Sequence, residues 1–341
     1  MTSDVLRLTA DLMAIDSTSG QEGELMAHVA LMLESRGWRV KRIPVTPGRI
    51  DVFATCVHAP LVTLSTHLDT VPPYIPPRFD GDTLWGRGSC DAKGIAASMI
   101  LAAEQLRERE VPVALLFVVG EELTHDGAHA ANASPSTSRV IINGEPTEGK
   151  LALGTKGALR VVLRTSGVAA HSAYPHLGDS AIAKLVTLLA ELPHLELPHD
   201  ELFGATTINV GQISGGIADN VVAPAADAHI MVRLVSDAEE MLVLLEKWIA
   251  GRATMERGSL VPAIRLGSVP GFETMVAAFA TDIPELTRWG TPYLYGPGSI
   301  HVAHTKDERV TRAELEAAVA GYVKLAIAAL ADATTRQGVC R

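Results

Sequence analysis

The 341-residue chain is predicted to be an α/β protein with a doubly wound, mixed but mostly parallel sheet, interrupted by a smaller α+β domain. Three short runs in its first half are solidly apolar, which is typical of parallel strands buried on both faces: 61–66, 113–119 and 140–143. A helical stretch at about 93–109 separates the first two runs, and this strand–helix–strand spacing indicates a doubly wound core. Residues 5–37 are predicted to form two further helices, separated by a break around DSTSG.

The pattern changes after about residue 155, where the apolar runs give way to alternation. The segments ALRVVLRTSG, TTINVGQISGG and DAHIMVRLV alternate apolar with polar residues, as half-exposed antiparallel strands do. Two helices accompany these strands, near 179–192 and 237–250. We therefore expect an inserted α+β domain of ~100 residues. The expected boundaries are 156–262 for the insertion and 1–155 with 263–341 for the core.

Two helices begin with a capping box, in which a Ser or Thr and a Glu three residues later satisfy free backbone N–H groups. Ser236 and Glu239 predict the start of the second helix of the insertion. Thr311 and Glu314 predict the start of the closing helix, which we expect over about 312–331.

Composition excludes several classes of function. A net charge of −10 argues against a nucleic-acid partner, whose phosphates require clustered Lys and Arg. No uninterrupted apolar run reaches the ~18 to 20 residues that span a bilayer, so no membrane partner is expected. The first residues lack the pattern of a secretory signal, and Cys56, Cys90 and Cys340 are too widely spaced for a disulfide framework. A cytoplasmic protein is the resulting expectation.

Five candidate metal ligands lie just past predicted strands or at the start of a helix. They are two histidines and three carboxylates: His67, Asp91, Glu122, Glu145 and His304. In open α/β sheets, ligands bind outside the carboxyl ends of the strands, so these side chains are expected to meet. The set suits a pair of Zn²⁺ or similar ions, which a bridging aspartate would hold ~3.5–4 Å apart as in two-metal hydrolases.

Each of these residues also has a structural explanation. Taken alone, His67 is as readily a strand-end residue held by a local hydrogen bond, and Asp91 the N-cap of the helix that follows it. His67 and Asp69 are two apart in extended chain and point the same way, so the carboxylate could orient a ligand. Glu121 and Glu122 are adjacent, so in extended chain they face opposite ways and could serve as one base and one metal ligand. The alternative is that both are acids of a solvated loop, where water relieves the cost of two neighbouring charges.

The chain resembles the metallopeptidase family that includes acetylornithine deacetylase, succinyl-diaminopimelate desuccinylase, aminoacylase and glutamate carboxypeptidase. The matching segments occur in the family's order and cover nearly the whole chain: STHLDTVP, WGRGSCDAKG, GEEL, GEPT, AHSAYP, GGIADNVVAPAADAHIMVRL and YGPGSIHVAHTKDE. The resemblance implies a catalytic α/β domain with a ferredoxin-like insertion that serves as lid and dimerisation domain, and hence a homodimer.

The resemblance also implies a dinuclear centre that holds two Zn²⁺, with Co²⁺ or Mn²⁺ as alternatives. Asp91 would bridge the two ions, followed by a cis peptide bond. His67 and Glu145 would complete the site of one ion. Glu122 and His304 would complete the site of the other.

Three residues take catalytic roles by the same resemblance. Glu121 is implied to be the general base, which passes a proton from water to the leaving amine, and Asp69 orients His67. His171 matches a histidine that reaches the partner subunit's active site and stabilises the oxyanion. From the chain alone, His171 is equally a capping or packing residue.

Four residues are implied to bind substrate. Asn220 and Arg233 match positions that contact the substrate's carboxylate or the oxyanion, and an Arg fork binds carboxylates bidentately. The alternative for Arg233 is an ion pair with a surface acid. Gly298 and Ser299 could offer backbone N–H groups to the substrate.

The expected function is that of a dinuclear zinc amidohydrolase that removes the acyl group from an N-acyl amino acid. The first alternative is an aminopeptidase, carboxypeptidase or dipeptidase that cleaves short peptides on the same scaffold. A free α-amine would then need an acidic anchor, for which the sequence offers no dedicated candidate. A further alternative is a catalytically silent metal-binding protein, and the intact Glu121 and Asp69 weigh against it.

Overall fold

The computed structural model describes residues 4–339, which form two compact units. Unit 1 comprises Met1–Leu153, Leu266–Met275 and Thr281–Arg341, and unit 2 comprises Gly154–Arg265 and Val276–Ala280. The expected boundaries differ from these by two or three residues, and they omit the short second segment of unit 2. Cys56 and Cys90 are free thiols, and Cys340 lies outside the described residues.

The structure contains the following helices and strands. The helices are α1 Val5–Met13, α2 Gly23–Ser35, α3 Lys93–Glu108, α4 Asp126–Ala133, α5 Ala181–Ala190, α6 Ala238–Ile249 and α7 Arg312–Val339. The first nine strands are β1 Arg39–Thr46, β2 Arg49–Thr55, β3 Val62–His67, β4 Arg78–Asp80, β5 Thr83–Trp85, β6 Val113–Val118, β7 Val140–Asn143, β8 Leu151–Thr155 and β9 Gly157–Ser166. The others are β10 His199–Asp200, β11 Gly204–Ala205, β12 Thr207–Gly215, β13 Ala225–Leu234, β14 Thr254–Val261, β15 Ile264–Arg265, β16 Thr274–Ala277, β17 Thr291–Leu294 and β18 Arg309–Thr311.

The main sheet of unit 1 has the order β1-β2-β6-β3-β7-β17-β8. Its central strands β6, β3, β7 and β17 are parallel, whereas β1, β2 and β8 are antiparallel to their neighbours. Every residue of β3, β6 and β7 is buried, as their unbroken apolar runs predict. The predicted mixed sheet is therefore confirmed, but parallel pairing is confined to its four central strands, and three of the six pairings in this order are antiparallel.

Helices cover both faces of this sheet. Leu115 and Phe117 of β6 belong to a large core cluster with α1, α2, α3 and α7. Leu116 and Val118, which point the other way, belong to a second cluster with α4 and Trp289. Because adjacent residues of one strand meet helices on opposite faces, the sheet is doubly wound.

The last helix, α7, begins with the predicted capping box. The Thr311 backbone N–H donates to Glu314 Oε2 (2.8 Å), and the Glu314 N–H donates to Thr311 Oγ1 (3.2 Å). The segment Arg312–Thr334 is long and apolar enough to cross a membrane by length and composition, so the search for uninterrupted apolar runs missed it. Tyr322 and Ala326 of this helix are fully buried in the core cluster that contains α3, which is the position of a core helix of a globular protein.

Unit 2 contains an antiparallel sheet of order β12-β13-β9-β14, with α5 and α6 packed on it. The chain order β9-α5-β12-β13-α6-β14 gives the predicted ferredoxin-like arrangement. The predicted capping box of α6 is wrong. Asp237, one residue later than expected, is the N-cap and accepts from the Glu239 N–H (2.7 Å), because Asp caps a helix as well as Ser does.

Candidate metal centre

Four of the five candidate ligands lie at or after the carboxyl ends of the four parallel strands of unit 1, whereas Asp91 lies just before α3. His67 at the end of β3 lies opposite Val118 at the end of β6. Asn143 at the end of β7 lies opposite Leu294 at the end of β17. Because these strand ends are in register, the loops that leave them meet at one edge of the sheet.

Asp91 lies between the two histidines. His67 Nε2 is 3.1 Å from Asp91 Oδ1, and His304 Nε2 is 3.2 Å from Asp91 Oδ2. His304 Nε2 is also 3.0 Å from Glu122 Oε1. Ligand atoms of His67, Asp91 and Glu122 lie within 4.8 Å of one another. Each oxygen of Asp91 therefore faces a different histidine, as a bridging ligand requires.

Two further carboxylates bring excess negative charge to the same edge. Glu145 is buried, and its Oε1 has no hydrogen-bond partner within residues 4–339. Burial raises the pKa of Glu145 well above its usual range, and the charge of Asp91 adds to the shift. Burial likewise raises the pKa of Glu121, and the charge of Glu145 adds to it. An unpaired buried carboxylate oxygen beside two histidines and further carboxylates fits divalent cations.

The histidines respond to the same negative charge. Burial lowers the pKa of His67, but the carboxylates of Asp69 and Asp91 outweigh it and leave the pKa well above the usual range. Hydrogen bonds to Asp91 and Glu122 raise the pKa of His304 to about 10. The surrounding carboxylates therefore favour positive charge at this site, which metal ions would supply.

Asp69 holds the loop that carries Glu121 and Glu122. Its Oδ1 accepts from the Glu121 N–H (3.0 Å), and its Oδ2 accepts from the Glu122 N–H (3.2 Å). The same carboxylate lies 3.4 Å from His67 Nδ1 and accepts from Ser19 Oγ (2.8 Å). Sequence reasoning found the pairing with His67 but missed Ser19, which is 50 residues away and carries no local signal.

Asp91 is not the N-cap of α3, so that structural alternative is wrong. The cap is Ala92, which makes no side-chain capping bond, and the Asp91–Ala92 peptide is cis as the resemblance implies. Cys90 is fully buried against Gly298, where an added Cβ would lie 2.5 Å from the Cys90 Cβ. Residue 298 can therefore only be glycine if this close packing is kept.

Ser299, beside Gly298, has its hydroxyl engaged. Ser299 Oγ donates to Glu148 Oε1 (2.9 Å), and the Glu148 N–H donates to the Gly298 carbonyl (2.9 Å). The two residues thus form an ordered turn in unit 1, and their contact with substrate stays a prediction.

The other predicted site residues lie in unit 2. His171 is exposed, and its Nδ1 accepts from the Ala173 N–H (3.1 Å). Asn220 is exposed beside it, since the Ser172 N–H donates to the Asn220 carbonyl (3.0 Å). His171 and Asn220 are therefore brought together on one surface, and their roles stay predictions.

Arg233 is half-buried on β13 in unit 2. Burial lowers its pKa, and the charge of Arg160 lowers it further. Within residues 4–339 it has no carboxylate partner, so the alternative of a surface ion pair is not observed. A guanidinium that is partly desolvated and has no anion is suited to bind a carboxylate.

Comparisons with known proteins find similar peptidases. A family model of the peptidase dimerisation domain matches residues 153–253. A probable carboxypeptidase of Aspergillus fumigatus is 37% identical over 383 residues, covering 96% of this chain and 87% of the relative. One of Neosartorya fischeri is 38% identical, covering 98% of this chain and 88% of the relative.

Solved structures share the fold over nearly the whole chain. A tripeptidase of Staphylococcus aureus has a TM-score of 0.81 at 20% identity, covering 96% of this chain and 98% of its own. An M20 family metallo-carboxypeptidase of Sulfolobus solfataricus has a TM-score of 0.75 at 17% identity, covering 96% and 99%. At these identities the likeness concerns the fold.

Proposed function

Because the chain belongs to the M20 family of metallopeptidases, we propose that it is a carboxypeptidase that releases the C-terminal residue of short peptides. This takes the place of the deacylase expected from the sequence, since curated relatives that match 96% of the chain are named carboxypeptidases. Both reactions leave a free amino acid with its carboxylate, so one anchor for that carboxylate serves either reaction. The two differ only on the acyl side of the bond.

The observation that carries the proposal is the position of Asp91 between His67 and His304, beside buried carboxylates. We propose that His67 and Glu145 hold one Zn²⁺, and that Glu122 and His304 hold a second. Bound ions of this kind lower the pKa of a water molecule and polarise the scissile carbonyl.

The protein's own residues move the proton and hold the reacting groups. Glu121 accepts the proton of the attacking water and delivers it to the leaving amine. Asp69 fixes the Glu121 backbone and the ring of His67 at once. Arg233, which has no acidic partner among the described residues, is the proposed anchor for the C-terminal carboxylate.

The proposal is tested by hydrolysis of a matched substrate panel by zinc-loaded protein, followed by mass spectrometry. The panel holds an N-blocked dipeptide, the same peptide as its C-terminal amide, the free dipeptide and the N-acetyl form of its last residue. We expect release of the C-terminal amino acid from the N-blocked dipeptide and no cleavage of the amide. The Glu121→Gln variant serves as the background, with a rate ~10²–10⁴-fold lower.

Two other outcomes would reject a carboxypeptidase. Cleavage of the N-acetyl amino acid alone would restore the deacylase. Cleavage of the free dipeptide alone would indicate a dipeptidase, with an acidic anchor for the α-amine.

A further inference from the structure

A buried ion pair joins the two loops that carry Asp91 and His304. Arg87 and Glu308 are both in unit 1, and their side chains are 2% and 0% exposed. Arg87 precedes Asp91 by four residues, and Glu308 follows His304 by four residues. The pair therefore lies where these two loops meet.

Glu308 binds the backbone that leads to Asp91. Its Oε1 accepts from the N–H groups of Gly88 (2.9 Å), Asp91 (3.2 Å) and Cys90 (3.3 Å). Its carbonyl also accepts from the Gly86 N–H (3.0 Å). One carboxylate oxygen thus fixes three N–H groups, including that of Asp91 itself.

Arg87 binds both loops. Its guanidinium pairs with Glu308 Oε2, and its Nη1 also donates to the carbonyl of Thr305 (3.3 Å). Thr305 directly follows His304, whose φ of 64° places it in the left-handed region. The Arg87 side chain therefore restrains the backbone next to His304, while its charge balances the buried Glu308.

We propose that the Arg87–Glu308 pair positions Asp91 and His304 relative to each other and thereby sets the affinity of the centre for its ions. A buried ion pair adds little net stability, because desolvation offsets the attraction between its charges. The proposed effect of this pair is geometric: it fixes the distance between the two loops. The inference rests on the proposed metal centre, but not on any choice of substrate.

The test is the Glu308→Gln variant, which keeps the shape and removes the charge. The glutamine amide has one acceptor oxygen and one NH₂ group. Its NH₂ group must face either Arg87 or the three backbone N–H groups, and the donors on that side lose their acceptor. We expect ~10–100-fold weaker binding of at least one Zn²⁺ in chelator competition. We also expect zinc to raise the Tm less than in wild type. A purely structural role would lower the Tm of metal-free and loaded protein alike and leave that rise unchanged.

Two further variants serve as a control and as a rescue. Glu104→Gln removes a carboxylate that pairs with Arg36 at 2.9 Å elsewhere in unit 1, and we expect zinc affinity to stay unchanged. Combining Arg87→Gln with Glu308→Gln restores a matched amide pair, which should recover part of the affinity. This double variant also serves if the single variant does not fold.

The inference would be overturned if wild-type protein bound two zinc ions and the Glu308→Gln variant bound them with the same affinity. Failure of both Glu308 variants to fold would also overturn it, because the pair would then have a structural role. Wild-type protein that binds no zinc would instead contradict the proposed function.

Discussion

Asp51 is a buried carboxyl outside the candidate metal ligands. It lies on β2, where its Oδ1 accepts from the Val119 N–H (3.2 Å) and its Oδ2 has no partner within residues 4–339. Burial raises the pKa of Asp51 to about 9. The negative charges of Asp282 and Asp126 also raise it, whereas the positive charge of Arg49 lowers it. The folded chain therefore holds a proton that the unfolded chain releases near pH 4.

The sign of the resulting pH dependence follows from this difference. Between about pH 4 and 9 the folded state binds the extra proton, so the contribution of Asp51 to the free energy of unfolding falls as the pH rises. Asp51→Asn keeps an acceptor for the Val119 N–H and cannot ionise. We predict that its stability relative to wild type increases with pH, by at most ~1.4 kcal/mol per unit.

Urea unfolding at several values between pH 5 and 8 measures this slope. The control is Glu24→Gln, which removes an exposed carboxylate from α2 and should leave the slope unchanged. A constant difference between Asp51→Asn and wild type at every pH would mean that Asp51 is charged in the folded protein.

Sequence reasoning identifies single residues best when a strand end places them. His67, Glu122 and Glu145 follow apolar runs, so their meeting at one sheet edge could be predicted. Ser19 and Glu308 could not, because they bind Asp69 and Asp91 across 50 and 217 residues. A hydroxyl in a turn and an acid in a charged loop look ordinary until the tertiary fold supplies their partners.

At the level of elements, α5 and β12 of unit 2 expose an apolar surface. Ile182 and Val186 lie one turn apart on α5, and Ile213 and Ile217 lie on or just after β12. Ile182 approaches Gly216, where an added Cβ would lie 3.3 Å from its Cδ1, so the two groups adjoin. An edge strand with a contiguous exposed apolar patch is typical of a protein–protein interface.

We predict that this surface forms the homodimer implied by the dimerisation domain. Val186→Asp should halve the molar mass in light scattering, because two buried charges would face each other across a two-fold interface. Val243→Asp on α6 is the matched control, since the two valines are 54% and 57% exposed. Dimers of Val186→Asp, or monomers of Val243→Asp, would place the interface elsewhere.

Sequence reasoning missed one hairpin and ended the last helix too early. The β1–β2 hairpin was not predicted, because β1 buries only Ile43 and carries several charges, as an edge strand can. Helix α7 runs to Val339, beyond its expected end near 331, because no glycine or proline stops it there. Elements whose side chains fill the core, such as β6 and α3, were predicted almost to the residue.

For the molecule as a whole, the candidate ligands come from both sides of an insertion. Glu122 and His304 are 182 residues apart and lie 3.0 Å from each other, so unit 1 assembles its centre only after the chain returns from unit 2. The two predicted catalytic residues are expected to act in the centres of different subunits. Glu121 belongs to the centre of its own chain, whereas His171 is expected to serve the partner's centre.

A complementation experiment tests that division. Glu121→Gln and His171→Ala should each lose most activity as homodimers, because one lacks the base and the other the oxyanion donor. Mixed dimers contain one centre with an intact Glu121 from one chain and an intact His171 from the other. After exchange of subunits we expect about a quarter of wild-type activity, since about half of the dimers are mixed and each has one complete centre.

The readout is the specific activity before and after the two variants are mixed and allowed to exchange. His176→Ala replaces a histidine that is likewise exposed and lies five residues further along, so this variant should remain active by itself. Adding Val186→Asp to both inactive variants should abolish the recovery, because the chains could no longer pair. If the mixture stays inactive while mixed dimers are detected by mass, His171 does not serve the partner's centre.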